Sequence, residues 1–215
     1  MPDPISWAND APYYLAAALL GYVLGSIPFG LVLTKLSGLG DIRSIGSGNI
    51  GATNVLRTGR KDLAALTLLL DGGKGAAAAL LAGMYGPDMM VVAAFAAFIG
   101  HLFPVWLRFK GGKGVATYLG VLLGAAWPVG LFACATWLVM AAVTRISSLA
   151  ALIMAVASPV FAWFIVSPQI GELAAAMSVL IFIRHHQNIA RLLKGEEPKI
   201  GKKKKTDGDA AATPQ

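Results

Sequence analysis

Long apolar stretches separated by short polar connections run along almost the whole chain. A helix needs about 20 predominantly apolar residues to cross the hydrocarbon core of a bilayer. Stretches near that length lie at 13–34, 63–83, 89–107, 115–143, 146–166 and 173–183. The fourth is too long for one span, and we expect Trp127-Pro128-Val129-Gly130 to divide it into two short spans. The last is the core of a span that starts near Gln169.

The pattern predicts an all-α integral membrane protein with seven transmembrane helices. Lysine and arginine indicate its orientation, because they occur only in alternate connections, apart from Lys74 inside the second stretch. The basic connections are 35–61, 108–113, 145 and the segment from 184 onwards, whereas 1–12, 84–88, 127–130 and 167–172 contain no Lys or Arg. The positive-inside rule then predicts the N-terminus outside and the C-terminus in the cytoplasm. Five spans, with 115–143 partly re-entrant, are an alternative with the same orientation.

Composition agrees with a membrane protein and excludes several functions. Hydrophobic residues make up 56% of the 215 residues and charged residues only 13%. Soluble domains carry roughly 25% charged residues, so a disordered chain, a nucleic-acid-binding module and most soluble enzymes are excluded. Residues 1–200 are predicted to form a single transmembrane domain, and 201–215 a basic, disordered cytoplasmic tail whose lysines contact anionic headgroups. The single cysteine, Cys134, excludes an intramolecular disulfide and a cysteine metal cluster.

A glycine-rich polar loop follows the first apolar stretch. Gly46, Gly48 and Gly51 satisfy the pattern G-x-G-x-x-G, but a dinucleotide site needs a strand before the loop, and here a membrane helix precedes it. Glycines allow backbone N–H groups to face an anion. Neutral hydrogen-bonding side chains and one bidentate cation complete the loop: Ser47, Asn49, Thr53, Asn54 and Arg57. We predict a phosphate-binding loop, with a flexible polar loop as the alternative.

A second glycine-rich segment precedes the stretch that starts at 115. Gly111, Gly112 and Gly114 surround Lys113 at the start of a helix, which suits an anion at a helix N-terminus. The P-loop pattern is not met, because Gly114 follows the lysine where Ser or Thr is required. A basic anchor at the membrane surface is the alternative.

Two pairs of polar residues at the ends of apolar stretches are further candidates. Ser147 and Ser148 open the stretch 146–166, the sixth predicted span, either as a helix cap or as ligands. His185 and Asn188 are three residues apart, so they share one face of a helix. They belong either to a functional site or to a segment that only leaves the membrane.

Two motifs lie inside the apolar stretches. The segment 25–30, Gly-Ser-Ile-Pro-Phe-Gly, is typical of close helix packing through small residues. Asp71 and Lys74 interrupt the second stretch, where charges are costly to insert. They form either an ion pair or a polar pocket where the helix breaks among three glycines.

These motifs converge on the predicted cytoplasmic side, where carboxylates are few. Such a cluster of cations and glycine-rich or hydroxyl-rich helix starts predicts a site for one or two phosphorylated ligands. An enzyme that joins a water-soluble phosphate compound to a lipid has these features. With no carboxylate cluster to bind Mg²⁺, we expect no metal. A transporter of an organic phosphate and a structural membrane scaffold are competing hypotheses.

Five motifs, in order, resemble those of the bacterial acyl-phosphate:glycerol-3-phosphate acyltransferase family (PlsY). They are GSIPFG at 25–30, GSGNIGATNVLR at 46–57, DGGKG at 71–75, GHLFPVWLRFKGGKGVAT at 100–117 and RHHQNIARLLKG at 184–195. The resemblance implies a multi-pass protein of the bacterial inner membrane with seven helices and a cytoplasmic site. It implies transfer of an acyl chain from acyl phosphate to the 1-hydroxyl of sn-glycerol 3-phosphate, which yields lysophosphatidic acid and inorganic phosphate for phospholipid biosynthesis. No cofactor is implied, and neither acyl-CoA nor acyl carrier protein is a direct donor.

The resemblance also implies which residues form the site. The matched positions are Ser47, Arg57, Lys113, Ser148, His185 and Asn188. Arg57 and Lys113 are expected to hold the phosphates, together with the backbone N–H groups of 46–51 and 111–114. The two serines and Asn188 are expected to orient the glycerol hydroxyls and phosphate. His185 is either a general base or, as we favour, a phosphate ligand, in which case the leaving phosphate takes the proton. Gln187 stands where many relatives have Glu.

Overall fold

The computed structural model describes residues 7–200, and this part of the chain contains α-helices and no strand. The helices are α1 (Trp7–Gly25), α2 (Phe29–Leu36), α3 (Ala52–Val55), α4 (Lys61–Gly83), α5 (Pro87–Leu102), α6 (Val115–Ala125), α7 (Trp127–Thr144), α8 (Ser147–Ile165), α9 (Pro168–Arg184) and α10 (His186–Leu193). Short 3₁₀ turns occur at Ile42–Ser44, Leu56–Thr58 and Val105–Leu107. The predicted tail, 201–215, lies outside the described residues.

The first and third predicted stretches are shorter or more divided than expected. The first contains two helices, because Pro28 disfavours a helical conformation at Ile27 and so separates α1 from α2. The third ends as a helix at Leu102, two residues before Pro104, and continues as a 3₁₀ turn. In each case a proline sets the boundary that hydropathy alone does not show.

The second stretch keeps its helix where a break was considered. Helix α4 runs without interruption through Gly72, Gly73 and Gly75. A glycine in a helix interior costs only about 1 kcal/mol relative to alanine, and close packing offsets that cost here. A Cβ on Gly75 would lie 2.7 Å from the carbonyl oxygen of Thr117, and a Cβ on Gly120 would overlap the backbone of Gly72. The glycines therefore let α6 approach α4 closely.

The stretch 115–143 is divided as predicted. The break falls at Ala126, and Pro128 occupies the first turn of α7, where a missing N–H has no cost. The last stretch begins at Pro168, next to the predicted Gln169. The predicted starts of α7 and α9 are therefore confirmed to within about two residues.

Five helical segments among residues 7–200 are long and apolar enough to cross a membrane. They are Asp10–Leu36, which takes α1 and α2 together, Lys61–Gly83, Pro87–Leu107, Trp127–Thr144 and Ser147–Ile165. Helix α6 is apolar but has only 11 residues, about 16 Å at 1.5 Å per residue, and α9 has 17. Large apolar side chains cover the outside of the bundle, including Leu69, Val143 and Phe164. This surface fits a lipid environment.

Small residues allow the closest helix contacts. A Cβ on Gly21 or Gly25 of α1 would overlap the carbonyl groups of Ala93 and Ala97 on α5. The packing interpretation of the segment 25–30 is therefore correct for Gly25. A different contact joins α6, α8 and α9, where the buried Tyr118 hydroxyl hydrogen-bonds with Ser158 at 3.1 Å and Ser178 at 3.0 Å.

Candidate active site

The first half of the candidate site is the segment 41–60 between α2 and α4, here called the serine loop. Its fold depends on Asn54, which is buried. The Asn54 side-chain NH₂ donates to the carbonyls of Ile42 and Ile45, both at 3.0 Å, and Oδ1 accepts from the Ser47 N–H at 3.1 Å. Arg57 Nη1 also donates to Oδ1, at 3.4 Å. The Ser47 hydroxyl and the Arg57 guanidinium are left near each other at the surface.

The glycines of this loop serve its own geometry. Gly46 has φ +60°, and a Cβ there would lie 2.6 Å from both Arg57 Nη1 and Asn54 Oδ1, so only glycine fits. The Gly48 N–H donates to the Ile45 carbonyl at 3.0 Å. Two expectations are corrected: Asn54 and the Gly48 N–H are engaged within the loop and are not available to a phosphate. Gly51 instead caps the N-terminus of α3, and Asn49 is half-buried beside it.

The second half is the segment 108–114 between α5 and α6, here called the lysine loop. The N–H groups of Gly111 and Gly112 donate to the carbonyls of Leu102 and His101, each at 3.1 Å. The prediction that these two N–H groups bind phosphate is therefore wrong, because they hydrogen-bond with the end of α5. Gly114 has φ +87°, and a Cβ there would lie 2.5 Å from the Phe98 ring. The groups that remain for an anion are Lys113 and the first N–H groups of α6.

Arg184, at the end of α9, fixes the lysine loop from the other side. Its Nη2 donates to the Gly111 carbonyl at 2.8 Å and its Nε to the Gly112 carbonyl at 3.1 Å. The guanidinium also lies 5.6 Å from the centre of the Phe103 ring. The loop thus has its N–H groups bound to α5 and its carbonyls bound to α9, which holds Lys113 in place.

A buried carboxylate joins the remaining predicted residues. Glu197 is only 7% exposed, and its Oε1 accepts from the Ser148 hydroxyl at 2.7 Å and the Asn188 side-chain NH₂ at 2.5 Å. Its Oε2 accepts from Arg191 Nε at 2.6 Å. Lys113 Nζ donates to Asn188 Oδ1 at 2.5 Å. Three predicted residues therefore belong to one chain of hydrogen bonds, in which Lys113 contacts Asn188, and Asn188 and Ser148 both contact Glu197.

Sequence reasoning missed Glu197 and the roles of Arg184 and Arg191. Glu196 and Glu197 interrupt a basic segment just after Gly195, and that isolated acidic pair was the available signal. The segment is held back against the helices at its end, where the Ile200 N–H donates to the Arg145 carbonyl at 2.7 Å. The sequence alone suggests that Glu197 is exposed to solvent, whereas the fold places its carboxylate against Ser148 and Asn188.

Burial and neighbouring groups shift the pKa values of Lys113 and Glu197. Burial lowers the pKa of Lys113 to about 8, opposed by Glu197 and supported by the positive charges of Arg191, Arg57 and Arg184. Burial raises the pKa of Glu197, but hydrogen bonds from Ser148, Asn188 and Arg191 outweigh it and leave that pKa below its usual value. The charge of Arg57 in the serine loop therefore acts on Lys113 in the lysine loop.

His185 stands between α9 and α10 and is buried. Its Nδ1 lies 2.8 Å from the Ile181 carbonyl, which can only accept, so Nδ1 carries the proton and Nε2 is an acceptor. Burial lowers the pKa of His185 to about 4. The imidazole is consequently neutral near pH 7.

Asp71 and Lys74 form the ion pair that was one of the two alternatives. Lys74 Nζ lies 2.7 Å from Asp71 Oδ1, and both side chains are almost fully buried. They lie inside the bundle, so the structure does not make them part of an open polar pocket.

Comparison with known proteins gives consistent matches. The family profile described as glycerol-3-phosphate acyltransferase matches residues 15–195. A glycerol-3-phosphate acyltransferase of Paramagnetospirillum magneticum is 65% identical over 196 residues, which cover 91% of this chain and 98% of the relative. One from Caulobacter vibrioides is 66% identical over 188 residues, 86% of each chain.

Two crystal structures of PlsY (YgiH), an integral membrane glycerol 3-phosphate acyltransferase, share the fold. The glycerol 3-phosphate form is 40% identical, with a TM-score of 0.83, and the match covers 87% of this chain and 96% of that chain. The lysophosphatidic acid form is 38% identical, with a TM-score of 0.81 and coverage of 87% and 95%.

Proposed function

Because the chain belongs to the glycerol-3-phosphate acyltransferase family, we propose that it transfers an acyl chain from acyl phosphate to the 1-hydroxyl of sn-glycerol 3-phosphate. The products are lysophosphatidic acid and inorganic phosphate. Membership of this family makes the chain an acyltransferase, which sets aside the transporter and scaffold hypotheses. The acyl-phosphate donor and the roles of single residues belong to the proposal.

One observation carries the proposal: Lys113, Asn188, Ser148 and Arg191 are linked through the buried carboxylate of Glu197, and the positive charges of Arg57 and Arg191 act on Lys113. Two phosphorylated substrates that react with each other repel, and fixed cations remove that repulsion. The crystal structures of PlsY with glycerol 3-phosphate and with lysophosphatidic acid support the same acceptor and product here.

The reaction needs positioning more than activation, because acyl phosphate is already a mixed anhydride. The 1-hydroxyl oxygen attacks the acyl carbon, the bond from that carbon to the phosphate oxygen breaks, and the leaving phosphate takes the hydroxyl proton. Orientation of this kind lowers the activation free energy by about 7–11 kcal/mol. Arg57 and Lys113 hold the phosphates, while Ser47, Ser148 and Asn188 orient the acceptor.

We assign His185 a role different from the one the sequence favoured. A neutral imidazole whose Nδ1–H is bound to the Ile181 carbonyl offers only a lone pair at Nε2, so it accepts a hydrogen bond from a hydroxyl and does not bind phosphate as a cation. With a pKa of about 4 it is also a weak base. The proton therefore goes to the leaving phosphate.

The proposed setting is the bacterial inner membrane, crossed seven times, with the site facing the cytoplasm. Two contacts support the alternation of sides. Gln169 Nε2 donates to Asp88 Oδ1 at 2.6 Å, so two connections without Lys or Arg meet. Arg145 and Ile200 meet in the same way among the basic connections. Single cysteines in a Cys134→Ser background test this: one at Tyr85 should label from outside in intact cells, and one at Arg60 should not.

The proposed chemistry is tested with purified protein in detergent, supplied with glycerol 3-phosphate and one acyl donor at a time. We expect lysophosphatidic acid and inorganic phosphate in equal amounts from acyl phosphate, also in excess EDTA, and no product from acyl-CoA. Turnover with acyl-CoA that matches turnover with acyl phosphate would refute the donor assignment.

A further inference from the structure

A buried polar cluster lies beneath the two loops of the candidate site. Its members are Asp71 and Lys74 of α4 and His101 in the last turn of α5, none more than 5% exposed. His101 Nδ1 lies 3.7 Å from Asp71 Oδ1, the atom that Lys74 contacts at 2.7 Å. Buried ion pairs are weak contributors to stability, and charges inside a membrane are usually retained for function. Stability alone therefore does not explain this cluster.

Lys74 connects the cluster to the serine loop. Its Nζ donates to the Ile27 carbonyl at 2.7 Å, in the break between α1 and α2. Helix α2 begins two residues later and lies directly against the loop, because a Cβ on Gly30 would overlap the Ile50 carbonyl. Ile50 is buried beside Gly51, where α3 starts. Lys74 therefore contacts the break before α2, and α2 packs on the loop that carries Ser47 and Arg57.

His101 connects the cluster to the lysine loop. A Cβ on Gly112 would overlap His101 Nε2, so the loop backbone rests directly on the imidazole ring. The Gly112 N–H donates to the His101 carbonyl at 3.1 Å. Lys113 is the next residue, and its height above α5 is therefore set by the histidine.

We infer that Asp71, Lys74 and His101 form a positioning unit that fixes the separation between Arg57 and Lys113. The three residues are positioning residues, since they support the loops from below. Two substrates must be held with their reacting atoms in contact, and a misplacement of about 1 Å costs about 100-fold in rate. The inference rests on the proposed function for its effect on catalysis, whereas the separation itself is a property of the fold.

The separation can be measured without any activity. Spin labels are attached to Ser44→Cys in the serine loop and Lys110→Cys in the lysine loop, both exposed positions, in a Cys134→Ser background. The parent should give one narrow distance distribution. Lys74→Met and His101→Asn should shift or broaden it. Ser178→Ala is the matched control, because it removes a buried side-chain hydrogen bond between α9 and α6, and neither Ser178 nor Tyr118 belongs to a loop. Its distance distribution should match that of the parent.

The same substitutions without labels are then compared in the acyl-transfer assay. Lys74→Met should lower kcat/KM about 100-fold, with a raised KM for glycerol 3-phosphate, while Ser178→Ala lowers only the unfolding temperature. If Lys74→Met does not fold, His101→Asn decides the question alone. Parent-like distances in the folded variants, or an equal change in Ser178→Ala, would overturn the inference. Absence of transfer by the parent, with the distance change intact, would count against the proposed function and not against the positioning unit.

Discussion

The two loops of the candidate site are both rich in glycine but are built in opposite ways. The serine loop folds around one neutral, buried amide, Asn54, and leaves Gly46 and Gly48 at the surface. The lysine loop buries Gly112 and Gly114 and ties its backbone to α5 and α9. One loop supports itself, and the other takes its shape from the helices around it.

The residues that hold the two halves together, Asn54 in one and Glu197 in the other, also differ in charge. Asn54 brings Ser47 and Arg57 together without adding charge, whereas Glu197 places a carboxylate among Lys113, Arg191 and the hydrogen-bonding groups of α8 and α10. The anion keeps several cations close together in the absence of substrate. In neither loop do the glycine N–H groups whose bonds are described point at a ligand, so side-chain cations are left to bind phosphate.

The largest effect is expected from the two cations. Arg57→Ala and Lys113→Ala should each lower kcat/KM about 100-fold or more, because a charge-assisted hydrogen bond is worth about 1.5–3 kcal/mol and more in a dry site. Arg57→Lys should stay poor, since it loses the bidentate geometry. Steady-state kinetics on variants with parent-like gel-filtration profiles measure this.

The control for the cations is Lys110→Ala, an exposed lysine in the same loop. It should keep kcat/KM close to the parent value. A loss as large as that of Lys113→Ala would mean that the basic loop acts as a diffuse field and has no defined phosphate ligand.

Removing the Glu197 carboxylate should have the next largest effect. Glu197→Ala leaves Ser148, Asn188 and Arg191 without their common acceptor, so we expect kcat/KM to fall about 30-fold, equivalent to roughly 2 kcal/mol, and the unfolding temperature to drop. Glu196→Ala is the matched control, because the neighbouring carboxylate is exposed. Equal behaviour of the two variants in the same assay would remove Glu197 from the site.

Substitutions of glycine distinguish the two ways of building a loop. Gly112→Ala forces the lysine loop away from His101, and we expect about a tenfold rise in the KM for glycerol 3-phosphate, equivalent to about 1.4 kcal/mol. Gly51→Ala should stay near the parent value, because a Cβ there lies 3.7 Å from its nearest neighbour at an ordinary φ of −84°. If Gly51→Ala is the more harmful of the two, the loops have been assigned the wrong constraints.

The smallest predicted effect is on pH dependence. The pKa of Lys113 is lowered to about 8, so the ammonium is present below that pH and lost above it. The KM for glycerol 3-phosphate should therefore rise several-fold between about pH 7 and 9. Lys113→Arg should abolish this dependence at whatever activity remains. A KM in the parent that does not vary over this range would contradict the assignment of Lys113.

The sequence predicted the apolar helices well and the site only in part. Runs of apolar residues specify helices through their length, and Pro128 marks a break in a way that the sequence shows. Hydropathy does not show that α4 stays helical through its glycines, of which Gly72 and Gly75 pack against α6. Of the six matched residues, Ser47 and Arg57 lie in the serine loop and Lys113 lies in the lysine loop. Ser148 and Asn188 both hydrogen-bond with Glu197, Asn188 also hydrogen-bonds with Lys113, and His185 directly precedes α10. Glu197 itself was missed, since its burial depends on a chain reversal at Gly195 with φ +71°.

The prediction that glycine N–H groups bind phosphate is wrong for Gly48, Gly111 and Gly112, whose N–H groups bind carbonyls of the protein. A sequence shows where a backbone is free of side chains but not where its N–H groups point. In the lysine loop those of Gly111 and Gly112 point at carbonyls of α5, because the helix end at Leu102 needs partners. The choice of hydrogen-bond partner for these N–H groups follows from tertiary contacts alone.

The central claim is that phosphate is bound by side-chain charge, and above all by Lys113. Titration calorimetry of glycerol 3-phosphate into the detergent-solubilised protein tests it, with Lys113→Gln as the variant. Glutamine can still hydrogen-bond to Asn188 but carries no charge. The account predicts that the dissociation constant rises at least about tenfold, or about 1.4 kcal/mol, while the unfolding temperature stays near that of the parent. An unchanged dissociation constant in a folded Lys113→Gln protein would contradict it.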